Sequence, residues 1–224
     1  MNNWSDDMNN VINRYEVKYY ISFDTFNKLY NNLKDYLVRD TYYKETIYNV
    51  FFDNESMDFI NNSIDKPKFK EKIRLRIYSN DLNKCFFEIK KKFNGLSNKR
   101  RILIKYNDYL SYMKGNYKCV DLIFKEIDYC IKKYNLKPKI KVVYDRYAYN
   151  IDDIRITFDS NIRYSVKDFT VKGKCISYMN NGYIMEIKSN SSIPLWLSEK
   201  LNKLNIYPIP YSKVGNICKE VFDV

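Results

Sequence analysis

The sequence contains no histidine, although it is 224 residues long. Histidine is the commonest metal ligand in proteins and the side chain whose charge changes most readily near neutral pH. Its absence excludes His-based triads, zinc hydrolases that depend on histidine ligands, and histidine kinases. Any catalysis must therefore use carboxylates, cationic side chains or a divalent metal held by oxygen.

Cysteine, glycine and proline are also scarce, with five of each. The odd cysteine count and the lack of any CxxC pair argue against a disulfide framework or a cysteine metal site, and favour a reducing compartment. No Pro/Gly-rich linker and no internal repeat divides the chain, so we expect a single domain over 1–224 with an N-terminal extension at 1–12. A GxxxxGK[ST] loop and a Gly-rich kinase signature are both missing.

Long apolar runs are missing as well. No stretch approaches the roughly 18 apolar residues of a membrane span, and 1–10 has no apolar signal-peptide core. The sequence therefore predicts a cytoplasmic protein without a membrane span of its own, which would reach a membrane only through a partner protein.

Positive charge is abundant, since 39 Lys and Arg outnumber 27 Asp and Glu and give a formal net charge of +12. This excess favours an anionic partner such as a phosphate chain, nucleic acid or an acidic membrane surface, and charge alone does not rank these. Part of it could reflect a coding bias toward A and T, because the chain is also rich in Asn, Ile and Tyr. The 45% of apolar residues supplies ample material for a core.

Alternation of polar and apolar residues predicts eight strands, at 13–21, 45–52, 69–78, 85–92, 98–105, 139–149, 154–159 and 182–189. Three- and four-residue spacing predicts a helix after Ser22, a second at 120–134, a third after Ser192 with Pro194 in its first turn, and a short fourth near Ser212. Short connections favour antiparallel pairing, and eight strands are enough to close a barrel. The predicted class is α+β: an eight-stranded antiparallel β-barrel tunnel with flanking helices.

Charged residues recur on one face of these strands. Arg14, Glu16 and Lys18 alternate with aromatic and aliphatic residues, and Arg74 and Arg76 do the same. For any single strand the usual explanation is a solvent-exposed face. Repetition in seven strands makes a shared polar interior plausible, and facing cations would require a polyanion or interleaved carboxylates. We assign the cations outside this phase, among them Lys91, Lys92 and Arg100, to the outer surface.

Three carboxylates share this phase with the cations: Glu16, Glu88 and Glu186. Carboxylate oxygens could hold Mg²⁺ or Mn²⁺ and leave coordination positions for phosphate and water. They could equally serve as ion-pair partners of the arginines. We favour the metal for Glu186 and the ion pair for Glu16 and Glu88.

Eight short motifs, in order from about residue 13 to 218, resemble the VTC domain, the polyphosphate polymerase branch of the triphosphate tunnel metalloenzymes in the CYTH-like superfamily. Each is weak alone, and their shared order carries the resemblance. They are Arg14-Tyr15-Glu16-Val17-Lys18-Tyr19, Ile73-Arg74-Leu75-Arg76, Phe87-Glu88-Ile89-Lys90, Asn98-Lys99-Arg100-Arg101, Tyr144-Asp145-Arg146-Tyr147-Ala148, Asp153-Ile154-Arg155-Ile156-Thr157-Phe158-Asp159, Met185-Glu186-Ile187-Lys188 and Tyr211-Ser212-Lys213.

The resemblance implies a tunnel that binds the triphosphate of ATP with Mn²⁺ or Mg²⁺ and transfers the terminal phosphoryl group to a growing polyphosphate chain, releasing ADP. It implies that Glu186 holds the metal. It also implies catalytic contacts to phosphate from Lys18, Arg74, Arg76, Lys90, Arg146, Arg155 and Lys213. Further substrate contacts would come from Arg14, Lys99, Arg101, Tyr144, Lys188 and Ser212.

Other functions remain open at this point. A tunnel triphosphatase would place water opposite the γ-phosphoryl group, but the Glu-x-Glu-x-Lys typical of hydrolytic relatives is replaced by Arg14-x-Glu16-x-Lys18. A non-catalytic module for polyphosphate is a second alternative. We do not expect nucleic acid as a partner, because the sequence shows no recognised motif and places its cations on strand interiors. The expected partners are ATP and inorganic polyphosphate.

Overall fold

A computed structural model describes residues 15–65, 67–79, 81–94, 96–190 and 192–222. Its strands are β1 Tyr15–Ser22, β2 Val38–Asp53, β3 Phe69–Tyr78, β4 Cys85–Phe93, β5 Leu96–Ile104, β6 Lys137–Ile151, β7 Ile154–Ser165, β8 Ile176–Met179 and β9 Gly182–Ser189. Its helices are α1 Phe23–Leu33, α2 Asp58–Asp65, α3 Tyr106–Met113, α4 Leu122–Tyr134, α5 Leu195–Lys203 and α6 Lys213–Phe222. The predicted extension at 1–12 lies outside the described residues.

All of the strands form one antiparallel sheet in the order β1-β9-β7-β6-β2-β3-β4-β5, with β8 added beside β7. The eight strands of this path are the eight that alternation predicts, and the α+β tunnel class is confirmed. Within the described ranges β1 and β5 are not paired with each other, so the hydrogen-bonded path is open there. Lys18 of β1 and Lys90 of β4 nevertheless line one cavity, because the sheet curves around it.

Helices cover the apolar outer face of the sheet. Ile73, Leu75 and Ile77 of β3 pack with α3 and α4, which contribute Tyr109 and Ile127 to the same buried cluster. A second cluster joins the outer residues of β7 and β9 to α1 and α5. Removing these apolar side chains from water is the main favourable contribution to folding, and it turns the charged phase of each strand inward.

The C-terminal helix α6 occupies a different position. Its residues Val214, Ile217 and Cys218 share a buried cluster with Val142 of β6 and Phe51 of β2. Val142, Phe51 and Val214 also line the cavity, so α6 packs on the inner side of β2 and β6. This packing brings the first residue of the helix, Lys213, to the cavity wall.

The predicted helices differ from the observed ones mainly at their ends. The helix after Ser22 is confirmed as α1, whose first turn is capped by Ser22 Oγ accepting from Thr25 N at 3.1 Å. The second helix begins two residues later than predicted, because Asp121 provides the N-cap. Pro194 is the N-cap residue of α5 and not part of its first turn.

Three elements were not predicted: α2, α3 and β8. Each is at most eight residues long, too short for periodicity to separate it from a loop. The first turn of α2 is held by a side chain that precedes the helix, since the carboxylate of Asp53 accepts from Phe59 N at 3.1 Å and from Ile60 N at 2.8 Å. Among the helices described, none is long and apolar enough to cross a membrane.

Candidate active site

A cavity of about 340 Å³ lies inside the curved sheet. Its wall contains two carboxylates, Glu16 and Glu186, against eleven cationic side chains. The cations are Lys18, Lys70, Lys72, Arg74, Arg76, Lys90, Lys92, Lys99, Arg146, Lys188 and Lys213. Such an excess in a partly desolvated space is costly when the cavity is empty, and it favours a polyanionic ligand.

Behind one part of this wall, Glu88 holds three of the cations. Its carboxylate lies 2.6 Å from Arg74 Nε, 2.8 Å from Lys99 Nζ and 3.9 Å from Arg76 Nε. Glu88 is only 1% exposed. Burial raises its pKa, but Arg74, Arg76 and Lys99 outweigh burial and hold the pKa well below its usual range. Glu88 therefore stays ionised and fixes the directions of these cations.

A second buried carboxylate, Asp159, pairs with two further cations. It accepts from Arg146 Nε at 2.6 Å and from Arg146 Nη2 at 2.7 Å, and it lies 2.5 Å from Lys213 Nζ. Both cations lie over the ring of Tyr144, whose centroid is 5.3 Å from Arg146 Cζ and 4.7 Å from Lys213 Nζ. Burial raises the pKa of Tyr144, but the surrounding cations, chiefly Arg146 and Arg76, leave that pKa below its ordinary value.

Glu16 and Glu186 form the third group, with two lysines between them. Lys18 Nζ lies 3.3 Å from Glu16 and 4.0 Å from Glu186. Lys188 Nζ lies 2.6 Å from Glu186 and 4.0 Å from Glu16. Burial raises the pKa of Glu186, but Lys188 and Lys18 outweigh burial and hold this pKa well below its usual range.

This third group fits a divalent metal. Two adjacent carboxylates supply the oxygen ligands that Mg²⁺ and Mn²⁺ prefer, with positions left for phosphate and water. Thr157 pairs in register with Glu186, and its buried hydroxyl has no hydrogen-bond partner among the described residues. A metal bound by the carboxylates would release Lys18 and Lys188 toward a phosphate. Clusters of three or more acidic or cysteine ligands are absent from the described chain, so phosphate oxygens would have to complete the coordination.

A fourth group consists of Lys70, Lys72, Lys90 and Lys92, which pair in register across β3 and β4. Lys72, Lys90 and Lys92 have no carboxylate within 4.0 Å in the described part of the chain. Burial and the cations Arg74, Lys18, Lys90 and Lys70 lower the pKa of Lys72 to about 7. Lys72, Lys90 and Lys92 form a part of the wall that nearby carboxylates of the described residues do not neutralise.

The structure brings most of the predicted site residues to the cavity. They are Glu16, Lys18, Arg74, Arg76, Lys90, Lys99, Tyr144, Arg146, Glu186, Lys188, Ser212 and Lys213. Glu88 lies behind the wall. Arg155 is turned away to Asp40, whose Oδ2 is 2.9 Å from Arg155 Nε, and Arg101 stacks at 4.8 Å on Phe86. Arg14 lies outside the described residues.

Several residues of the site were missed by sequence reasoning, and one was misplaced. Lys70 and Lys72 share the strand phase of Arg74, so the alternation that found the arginine contained the signal for them too. Lys92 was assigned to the outer surface and lines the cavity instead, because it is in phase with Lys90. Lys91 and Arg100 do lie outside the cavity, at 3.0 Å and 2.6 Å from Glu126.

The curved antiparallel sheet and its cation-rich cavity define a tunnel-fold protein. The VTC domain family profile matches residues 13–222. The chain belongs to the VTC domain family. This agrees with the motifs that carry the resemblance in the sequence.

Two kinds of relative accompany this match. Vacuolar transporter chaperone complex subunit 4 of Schizosaccharomyces pombe is 26% identical over 175 residues, which cover 66% of this chain and 24% of that protein. The chain thus spans about a quarter of the relative's length. Among solved structures, a candidate adenylate cyclase of Bacillus halodurans has a TM-score of 0.58 at 16% identity, covering 88% of this chain and 92% of its own. The PH1819 protein of Pyrococcus horikoshii has a TM-score of 0.52 at 17% identity, with coverages of 92% and 99%. These structural likenesses show the fold alone.

Proposed function

We propose that this chain is a polyphosphate polymerase, which transfers the γ-phosphoryl group of ATP to a growing polyphosphate chain and releases ADP. The observation that carries the proposal is the cavity wall, where, among the described residues, eleven cations surround two carboxylates. Arginine offers bidentate hydrogen bonds to phosphate oxygens, and lysine offers a compact charge. A mixed lining of this kind matches a linear chain of phosphates better than it matches a small neutral substrate.

Phosphoryl transfer requires alignment and charge neutralisation more than covalent help from the protein. Arg74, Arg76 and Arg146 are each held in a fixed direction by a buried partner, so they can orient phosphate oxygens with little reorganisation. An ionised phosphate acceptor needs no general base, which agrees with a chain that has no histidine.

Mn²⁺ or Mg²⁺ is part of the proposal, with Glu186 as the principal ligand and Glu16 beside it. When bound there, the metal supplies a positive charge that neutralises phosphate oxygens during transfer. Lys18 and Lys188, which contact the same two carboxylates, would turn toward the substrate. Glu88 is not proposed as a ligand, since three cations surround it.

The relative in Schizosaccharomyces pombe is named as a subunit of a vacuolar transporter chaperone complex. We propose by analogy that this domain works on the cytoplasmic side of a membrane and is placed there by a partner protein. ATP and inorganic polyphosphate are its proposed small-molecule partners.

The test is incubation of the purified protein with ATP and Mn²⁺ or Mg²⁺, with and without a short polyphosphate primer. Gel electrophoresis and phosphorus NMR would follow the products. Glu186→Gln removes the negative charge of the proposed metal ligand at nearly constant volume, and Glu199→Gln makes the same change at an exposed position of α5. With the primer, we expect long chains and one ADP for each phosphate added. This activity should be lost in Glu186→Gln and kept in Glu199→Gln.

Other products would contradict the proposal in recognisable ways. Free phosphate without chain growth would identify a triphosphatase. Tight polyphosphate binding without any ADP would identify a binding module.

A further inference from the structure

Asp159 is a fully buried carboxylate that contacts two of the tunnel's cations. It is 0% exposed and does not line the cavity. It contacts two residues that do, Arg146 and Lys213. A residue in this position cannot touch a phosphate, and whatever it contributes has to act through the two cations.

The contact to Arg146 is bidentate. The two carboxylate oxygens of Asp159 accept from Nε at 2.6 Å and from Nη2 at 2.7 Å. This side-on pairing fixes the plane of the guanidinium and leaves the Nη1 donors and one Nη2 donor unused by the carboxylate. Those donors remain available to a ligand in the cavity. Arg146 and Asp159 also face each other in register across β6 and β7, so the pairing starts from a fixed backbone distance.

The contact to Lys213 joins the sheet to the C-terminal helix. Lys213 is the first residue of α6, and its Nζ lies 2.5 Å from Asp159 Oδ2. The chain just before α6 is held at a second point, where Lys18 Nζ donates to Tyr211 O at 3.2 Å. Asp159 therefore connects β6, β7 and the start of α6 through one carboxylate.

Burial raises the pKa of Asp159, but Arg146 and Lys213 outweigh burial and leave the pKa below its ordinary value. The carboxylate is therefore charged at neutral pH. Its charge opposes the binding of a polyanion, so its contribution to the tunnel has to come from what it does to Arg146 and Lys213, the two cations that it contacts.

We propose that Asp159 is a positioning residue, which holds Arg146 and Lys213 in the directions needed to align a triphosphate for transfer. The measurement of turnover rests on the proposed function, whereas the second measurement, binding of phosphate chains, does not. It predicts opposite changes in two measurements. Loss of the carboxylate impairs alignment, while it makes the tunnel one unit more positive and favours nonspecific binding of long polyphosphate.

The test uses Asp159→Asn, which keeps the volume and removes the charge. We expect kcat for ATP to fall about 10- to 100-fold, as a misplacement of about 1 Å typically does. Affinity for tripolyphosphate should fall with it, while affinity for long polyphosphate at low salt stays equal or rises. The matched control is Asp145→Asn, which makes the same charge change at a carboxylate that contacts Thr46 and Arg163 instead. We expect that control to stay within about twofold of the wild type in kcat, well short of the 10-fold loss expected for Asp159→Asn.

A double variant, Asp159→Asn with Lys213→Met, separates positioning from a general structural effect. If Asp159 acts through Lys213, kcat should fall less between Lys213→Met and the double variant than between the wild type and Asp159→Asn. Equal falls in kcat would overturn the proposal. Tripolyphosphate binding that strengthens together with long-chain binding would overturn it too. A wild type that binds tripolyphosphate but releases no ADP would refute the polymerase alone, and the affinity comparison would still decide the role of Asp159.

Discussion

Lys72 gives the clearest quantitative test of the cationic tunnel. Its pKa is lowered to about 7 by burial and by Arg74, Lys18, Lys90 and Lys70. A polyanion in the cavity would neutralise these neighbours and return the pKa toward the ordinary lysine value of 10.5. Binding should therefore take up a proton at Lys72 wherever the empty protein has lost it.

The magnitude follows from this pKa. At pH 8, about nine-tenths of the empty molecules have a neutral Lys72, and each pH unit above 7 adds about 1.4 kcal/mol to the cost of recharging it. The need to recharge Lys72 should then lower the affinity for a polyanion about tenfold for each unit that the pH rises, until the pH approaches the pKa of Lys72 in the bound form. Ionisation of the ligand's own phosphates is common to every variant, so the difference between the wild type and a variant without the Lys72 ammonium group reports Lys72.

Isothermal titration calorimetry of tripolyphosphate at pH 7.5–9.5, in buffers of different ionisation enthalpy, measures this proton uptake directly. Lys72→Met removes the ammonium group and keeps an apolar stem, and Lys118→Met is the control at an exposed position. We expect the wild type to take up close to one proton more than Lys72→Met at pH 8.5, and Lys118→Met to match the wild type. A difference below about 0.3 proton would mean that Lys72 stays charged in the empty tunnel, and would refute the reasoning.

The pH dependence of stability gives an independent check that the pKa of Lys72 is lowered in the folded state. Lys72 binds its proton less tightly in the folded state than in the unfolded state, so between about pH 7 and 10.5 the unfolded chain holds more protons. The free energy of unfolding should therefore rise with pH across this window, by at most about 4–5 kcal/mol from this group. The rise should be smaller in Lys72→Met by the same contribution when urea unfolding is compared at pH 7 and pH 10.

Three further predictions concern stability, measured by urea unfolding. Glu88→Gln should destabilise the protein above about pH 5, and the difference from wild type should vanish as the pH falls through the depressed pKa of Glu88, because protonation removes the same charge; a constant difference would contradict this. Ser22→Ala should cost about 1 kcal/mol through the lost cap of α1, and no change would show that the cap is dispensable. Phe87→Ala should cost about 3–5 kcal/mol because the ring is fully buried, against about 0.5 kcal/mol or less for Phe93→Ala at a position 58% exposed; equal losses would refute the assignment of the core.

Strand positions were predictable because alternation with a period of two is a local property. β3 and β9 begin and end where the pattern predicts, and the amphipathic spacing of α1 and α4 gave both helices. The short elements were not accessible in this way. The start of α2 depends on Asp53, which accepts from backbone groups six and seven positions further along the chain, and eight residues of amphipathic sequence do not reveal that contact.

Residues of the candidate site were also predictable only where local alternation places them. Lys72 and Lys92 share the phase of predicted residues and were within reach of the alternation argument. The position of Arg155 was not, because Asp40, 115 positions away in the sequence, draws its guanidinium out of the cavity wall. Phase assigns a side chain to a face of the sheet, and only its neighbours decide where along that face its charged group lies.

The sequence by itself determined the strands, the inward charged phase, the main helices and the motifs of the family, since all of these depend on the order of residues along short segments. Tertiary structure decided which charges meet. Asp159 reaches Lys213 across 54 positions and Glu88 reaches Arg74 across 14, as the sheet curves and α6 folds into it. Electrostatic energy depends on distances in space, so the arginines that pair with buried carboxylates and the lysines Lys72 and Lys90, which do not, became distinguishable only in the folded chain.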